Sequence, residues 1–186
     1  MGNITGNQDR ARFISYADGS VRFDEDAKLA GWTREINVKD TIAYQKLNML
    51  SAFMMSIPGL PVIYYGDEFG SPGGNDPDNR RMMRFDDLNK HEQKAKEITT
   101  KLIQARKENL ALIYGDFTII ESNTDLLVIK RVYFDNEIII AFNKSDSPKK
   151  INLPLNYKKD ATALFNNITI EDTIELPAHT FEFIKQ

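Results

Sequence analysis

Near residue 112 the hydrophobic period of this chain changes from that of a helix to that of a strand, so no single regular architecture accommodates both parts. Before that point, Ala43, Leu47, Leu50 and Met54 form one apolar stripe at helical spacing, and Ala95, Ile98, Leu102 and Ala105 form another. These predict helices over 40–56 and 90–108. Asn37 and Asp40 are the candidate caps of the first, and Asn89 with Glu92 has the spacing of a capping box for the second. After that point, short runs rich in Ile, Val, Phe and Thr alternate between turn residues. They predict strands over 117–120, 126–133, 137–142, 149–153, 162–165, 173–176 and 180–184. Asp135-Asn136 reads as a tight hairpin, because both residues tolerate left-handed backbone, and Pro154–Tyr157 as a turn. Many short strands with close turn signals imply an antiparallel sandwich or barrel of their own. The boundary is expected within 111–115.

Between the two helices lies Pro58–Gly70. Pro58-Gly59 stops what precedes it, and Val62–Tyr65 is β-branched and aromatic without polar alternation. That predicts a strand covered on both faces, with Tyr64, Tyr65 and also Trp32 in the core. Residues 66–87 then form a long loop, and loops of this length are usually functional. Within it, carboxylates and guanidiniums interleave from Asp76 to Arg81, a pattern for ordered pairing. Residues 6–10 mix glycine, amides, a carboxylate and a cation, as strand ends and turns do. His91 and His179 read as packing or surface residues.

Composition excludes several partners. A net charge of -3 gives no footprint for nucleic acid or an anionic membrane. There is no cysteine and no His/Cys/Asp metal spacing, so neither a metal nor another cofactor is expected. No apolar run is long enough to span a bilayer.

GNQDRARF (6–13), PGLPVIYYGDEFG (58–70) and GGNDPDNRRMMRFD (73–86) occur in an order that resembles the α-amylase family of glycoside hydrolases. The DPDNRR run is most similar to the neopullulanase and cyclomaltodextrinase branch. The resemblance implies an α+β arrangement: the last strands and helices of a truncated TIM (β/α)8 barrel, then an antiparallel β-sandwich. The implied domains are 1–112 and 113–186. Residues 1–5 and 61–65 match the seventh and eighth barrel strands, so the chain is expected to begin inside the barrel, with roughly six of the eight strands lacking a counterpart.

Retaining glycosidases use a nucleophilic carboxylate and a second carboxyl as acid/base. In the family these follow strands four and five, which this chain lacks. A third carboxylate, after strand seven, favours the oxocarbenium-like state, and Asp9 matches it. Taken alone, Asp9 also fits a turn carboxylate that satisfies backbone amides. Gln8 stands where the family usually has histidine; its amide donates to a hydroxyl but carries no charge. Asn7, Gln8, Arg12, Asp76 and Arg80 match substrate-contacting positions, with Arg12 expected beside Asp9. Asp78 and Arg81 are expected to hold the loop, and Asp67 and Glu68 to be structural. The expectation is a C-terminal fragment of an α-glucan hydrolase, inactive by itself. The alternative is a non-catalytic glucan-binding or structural β-module. The expected partners are α-glucan oligosaccharides or polysaccharides and further copies of the chain, joined through exposed barrel surfaces.

Overall fold

Two short segments far apart in sequence meet as parallel strands: β1 (Gly2–Ile4) lies beside β2 (Leu60–Val62), with Asn3 opposite Pro61. A computed structural model describes residues 2–153, 161–166, 168 and 170–186; the turn expected at Pro154–Tyr157 lies outside them. The chain divides into two compact units, Met1–Ser51 with Leu60–Thr100, and Ala52–Gly59 with Lys101–Gln186. The boundary passes through two helices, and the expected domain boundary near residue 112 falls inside the second unit.

In the first unit, α1 (Phe13–Asp18) ends at Gly19, whose φ of 78° supplies the left-handed cap. Helix α2 (Ala27–Thr33) starts at Asp26, whose carboxylate accepts from the Lys28 and Leu29 amides. Helix α3 (Ile42–Ser56) follows; of its two candidate caps, Asp40 accepts from the Ile42 amide at 2.9 Å. Helix α4 (Lys90–Glu108) carries the full capping box, Asn89 Oδ1 accepting from Glu92 N at 3.1 Å and Glu92 Oε2 from Asn89 N at 2.8 Å. Ile14, Ala43, Tyr44, Leu47 and Ala95 make one core, and Ala11, Val21, Ala30 and Ile36 another.

Strand β2 differs from its expectation. It stops at Val62, and Leu60, Val62, Ile63 and Tyr65 are exposed, as is Ile4 on β1. Among the described residues β1 is its only strand neighbour, so the apolar run meant for two covered faces lacks layers to cover it. Trp32, expected in the core, is 68% exposed, because α2 turns it away from the small core that Ala30 enters.

In the second unit, α5 (Leu110–Tyr114) leads into an antiparallel sheet. Its strands are β3 (Asp116–Ser122), β4 (Leu126–Tyr133), β5 (Asn136–Asn143), β7 (Thr162–Ala163) and β9 (Thr180–Lys185), in the order β3-β4-β5-β9-β7. Strands β6 (Lys149–Asn152) and β8 (Thr173–Leu176) pair separately. Val128, Ile139, Ala141 and Ile184 of the large sheet share one core with Ile151, Ile174 and Leu176 of the small one. The β4–β5 turn is Phe134-Asp135, one residue earlier than expected; Asn136 pairs with Tyr133, and Phe134 takes the positive φ of 52°.

Three buried charges organise this unit. Arg106 donates to the carbonyls of Met55 (2.5 Å), Ile57 (3.2 Å) and Gly59 (2.6 Å), and Arg131 to those of Ser56 (2.5 Å), Leu112 and Gly115. Together they satisfy carbonyls left open at the C-terminal end of α3. Burial, then repulsion from Arg106, pulls Arg131 down to about 10. On β9, Glu182 is fully buried and accepts from the amides of Leu164, Phe165, Asn166 and Phe183.

Candidate functional site

The segment after β1 turns sharply. Asn7 Oδ1 accepts from the Asp9 amide at 2.8 Å, an Asx turn that directs the Asp9 carboxylate outward, where its side chain is 70% exposed. Gln8 Nε2 lies 3.2 Å from Asp9 Oδ2. The loop after β2 meets this turn through a 3-10 turn at Asp78–Arg80. There Arg80 Nε is 3.0 Å from Asp76 Oδ1, and Arg80 Nη2 is 3.8 Å from Asp9 Oδ1. Lys28 of α2 adds a cation 3.9 Å from Asp76 Oδ2. Asn7, Gln8, Asp9, Asp76 and Arg80 therefore share one surface patch.

Arg12 does not join it. It is 1% exposed, and its hydrogen bonds run inward rather than to Asp9: Nε to the Asn79 carbonyl (2.9 Å), Nη1 to the Tyr65 carbonyl (2.7 Å) and to Asp67 Oδ1 (2.8 Å). Its guanidinium also lies over the Tyr64 ring, 4.3 Å from the centroid. A buried guanidinium needs acceptors, and these carbonyls and the carboxylate supply them to Nε and Nη1, where Asp9, out in water, does not; Nη2 is buried without a hydrogen-bond partner among the described residues. Burial pushes the Asp67 carboxyl above the usual carboxylate range, and Arg12 pulls it partly back. Burial, and a hydrogen bond in which the Tyr64 hydroxyl donates to Tyr65, raise the Tyr64 hydroxyl.

Three contributors lie outside the expected site residues, and of these only Asp67 is expected from the sequence, as a structural residue. Asn79 is fully buried, and its side-chain amide donates to the carbonyls of Asn7 (3.2 Å) and Arg10 (2.7 Å), tying the loop to the turn. Asp67 binds Arg12. Gly6 lies so close to Asp67 that a Cβ there would sit 2.2 Å from Asp67 Oδ2. Only the position of Asn79 as an uncharged residue inside a charged run hints at a separate role. Asp78 and Arg81 pair through both carboxylate oxygens, at 2.9 and 3.0 Å, and Asp78 also accepts from the Gly74 amide.

The patch thus offers a carboxylate acceptor and a guanidinium donor side by side in water, a combination suited to adjacent hydroxyl groups. Among the described residues no group of three His, Asp or Glu side chains is placed to hold a metal. No described helix is long and apolar enough to cross a membrane.

No family model matches the chain. It is 30% identical over 153 residues to a cyclomaltodextrinase of Thermoanaerobacter pseudethanolicus, covering 82% of this chain and 22% of that protein. It is 29% identical over 157 residues to an amylopullulanase of Thermoanaerobacter thermohydrosulfuricus, covering 78% of this chain and 10% of that protein. An alpha-amylase from Geobacillus thermoleovorans, solved in complex with acarbose, superposes with a TM-score of 0.73 at 27% identity, covering 100% of this chain and 38% of that one. The chain thus spans between about a tenth and just over a fifth of the length of these curated relatives.

Proposed function

We propose, from the premise that this chain resembles the C-terminal part of α-amylase-family glycoside hydrolases, that it supplies one wall of an α-glucan cleft. The observation that carries this reading is the exposed Asp9 carboxylate set 3.8 Å from the Arg80 guanidinium, itself paired with Asp76. Asp9 accepts hydrogen bonds from sugar hydroxyls and places negative charge beside a ring that becomes oxocarbenium-like as the glycosidic bond breaks. Gln8 and Asn7 add neutral amides, and the Asp76–Arg80 pair binds the hydroxyls of a neighbouring glucose unit. Arg12 positions this wall through Asn79 and Asp67 rather than touching the sugar.

The parallel register of β1 with β2 supports assigning residues 1–112 to the last strands and helices of a (β/α)8 barrel. The core shared by two antiparallel sheets supports a β-sandwich from residue 113 on. On this reading, the nucleophile and the acid/base would come from barrel strands that have no counterpart among these residues. Purified chain incubated with starch, pullulan or maltotriose is expected to release no reducing sugar; measurable release overturns the assignment. Calorimetric titration with maltotriose tests the wall itself. Heat of binding is expected, and Asp9→Asn or Arg80→Ala is expected to remove most of it. Binding unchanged in both variants rejects the reading.

A second reading, a glucan-binding β-module, has its own support. Tyr114 and Phe134 are exposed, and Tyr133 contacts both rings, at 5.8 and 4.7 Å between centroids. Aromatic faces of this kind stack on sugar rings. Electrophoresis through starch-containing gels discriminates: retardation abolished by Tyr114→Ala with Phe134→Ala favours this module, and unretarded migration favours a structural role.

A further inference from the structure

A cavity of about 340 Å3 opens in the first unit, walled by the segment between α2 and α3, the start of α3, the loop after β2 and the first turn of α4. Its size is at the lower end of small-molecule sites. Its lining includes Asn37, Tyr44, Arg81, Arg84, Asn89 and Glu92, whereas Asn7, Gln8, Asp9, Asp76 and Arg80 lie outside it.

The charges of this lining are already matched. Arg84 pairs with the buried carboxylate of Glu92, and its guanidinium lies over the Phe69 ring at 5.3 Å. Arg81 is forked onto both oxygens of Asp78 and also donates to the Ile36 carbonyl. An anionic ligand would have to displace a carboxylate already in place, and a cation would meet two guanidiniums. A neutral ligand meets neither cost. What remains free to bind it is mixed in a particular way. The Tyr44 hydroxyl and the Asn37 amide both donate and accept. Val38, Pro72 and Met82 supply apolar surface, the Tyr44 ring being packed in the core and stacked on His91. Hydroxyls around a rim and C–H groups on the faces are the complementary chemistry, and that describes a pyranose.

We propose that this cavity binds a single neutral sugar ring, at a site separate from the Asp9–Arg80 patch. The choice of glucose as probe rests on the α-glucan reading above; the charge balance and size of the cavity do not. The test is nitrogen-15 NMR on the full chain titrated with glucose, following the side-chain amides of Asn37 and Asn89. Both are expected to shift saturably, and to do so equally in Asp9→Asn. Val38→Phe, which fills the cavity, is expected to weaken the response about tenfold or more. Asn37→Leu, at an exposed side chain, is expected to weaken the response read at the Asn89 amide alone, and serves if Val38→Phe does not fold. Amides unmoved by glucose, moved equally in both cavity variants, moved by inorganic phosphate instead, or silenced by Asp9→Asn would each overturn the proposal. The wall reading stands or falls on maltotriose at Asp9, so either can fail without the other.

Discussion

Arg12 carries a charge that solvent does not reach, and it is linked to Asp9 through Asn79 and then Asn7. Arg12→Leu strands the Asp67 carboxylate and leaves the Tyr65 and Asn79 carbonyls without their donor. It is expected to cost about 3 kcal/mol or more in urea unfolding, whereas Asp67→Asn keeps an acceptor oxygen and costs about 1 kcal/mol. Equal costs would mean that the pair does not act as drawn. The sequence marks Asp67 as structural but not its pairing with Arg12. Arg12 and Asp67 are 55 residues apart, and a tertiary ion pair leaves no periodicity behind it. The sequence motifs did single out the residues that now share the patch, yet they put Arg12 among them. Spacing says which residues are neighbours along the chain, not which side of the backbone faces water. Glu182 makes the second case at this scale. Burial raises its carboxyl above the ordinary range, with its amide donors pulling the other way. The folded chain therefore holds that proton more tightly than the unfolded one. The stabilisation is complete below the unfolded value of about 4.3 and is lost as pH rises through the folded one. Urea midpoints from about pH 4 to pH 7 should fall less in Glu182→Gln than in the parent; parallel slopes would refute this.

Elements were more legible than residues where local chemistry decides them. Helix α4 begins and ends where its stripe and its Asn89–Glu92 box put it, since a capping box is written in four consecutive positions. Asn89→Ala should lower stability by about 1 kcal/mol, read as a shift in the urea midpoint, and an unchanged midpoint would show the box to be idle. Strands β4 and β8 also lie where period-2 alternation places them, β8 alternating exposed and buried residue by residue. Strand β2 shows the limit of this approach. Its apolar run is real, but whether such a run is covered depends on neighbours that the run does not encode. The β4–β5 turn shows another: turn formers Asp135 and Asn136 were present, yet cross-strand pairing fixed the register and left Phe134 in the left-handed position. The C-terminal end of α3 was equally hidden, because the arginines that satisfy its carbonyls come from α4 and β4.

For the molecule as a whole, the exposed apolar side chains of β1 and β2 are the main liability. Strand edges with open hydrogen-bonding groups pair with other edges, and bare apolar surface associates. We expect light scattering of the purified chain to show oligomers that grow with protein concentration. Introducing Lys at Leu60, which is 68% exposed, should return the weight-average mass toward the monomer. A monomer at all concentrations would show that these strands are protected in solution. The two-stranded parallel ribbon also bears on production. A polypeptide with such a hem collects in inclusion bodies when made quickly. Its yield from bacteria should therefore rise at low temperature, or when a soluble companion is fused ahead of Gly2, more than any single stabilising change within either unit would raise it.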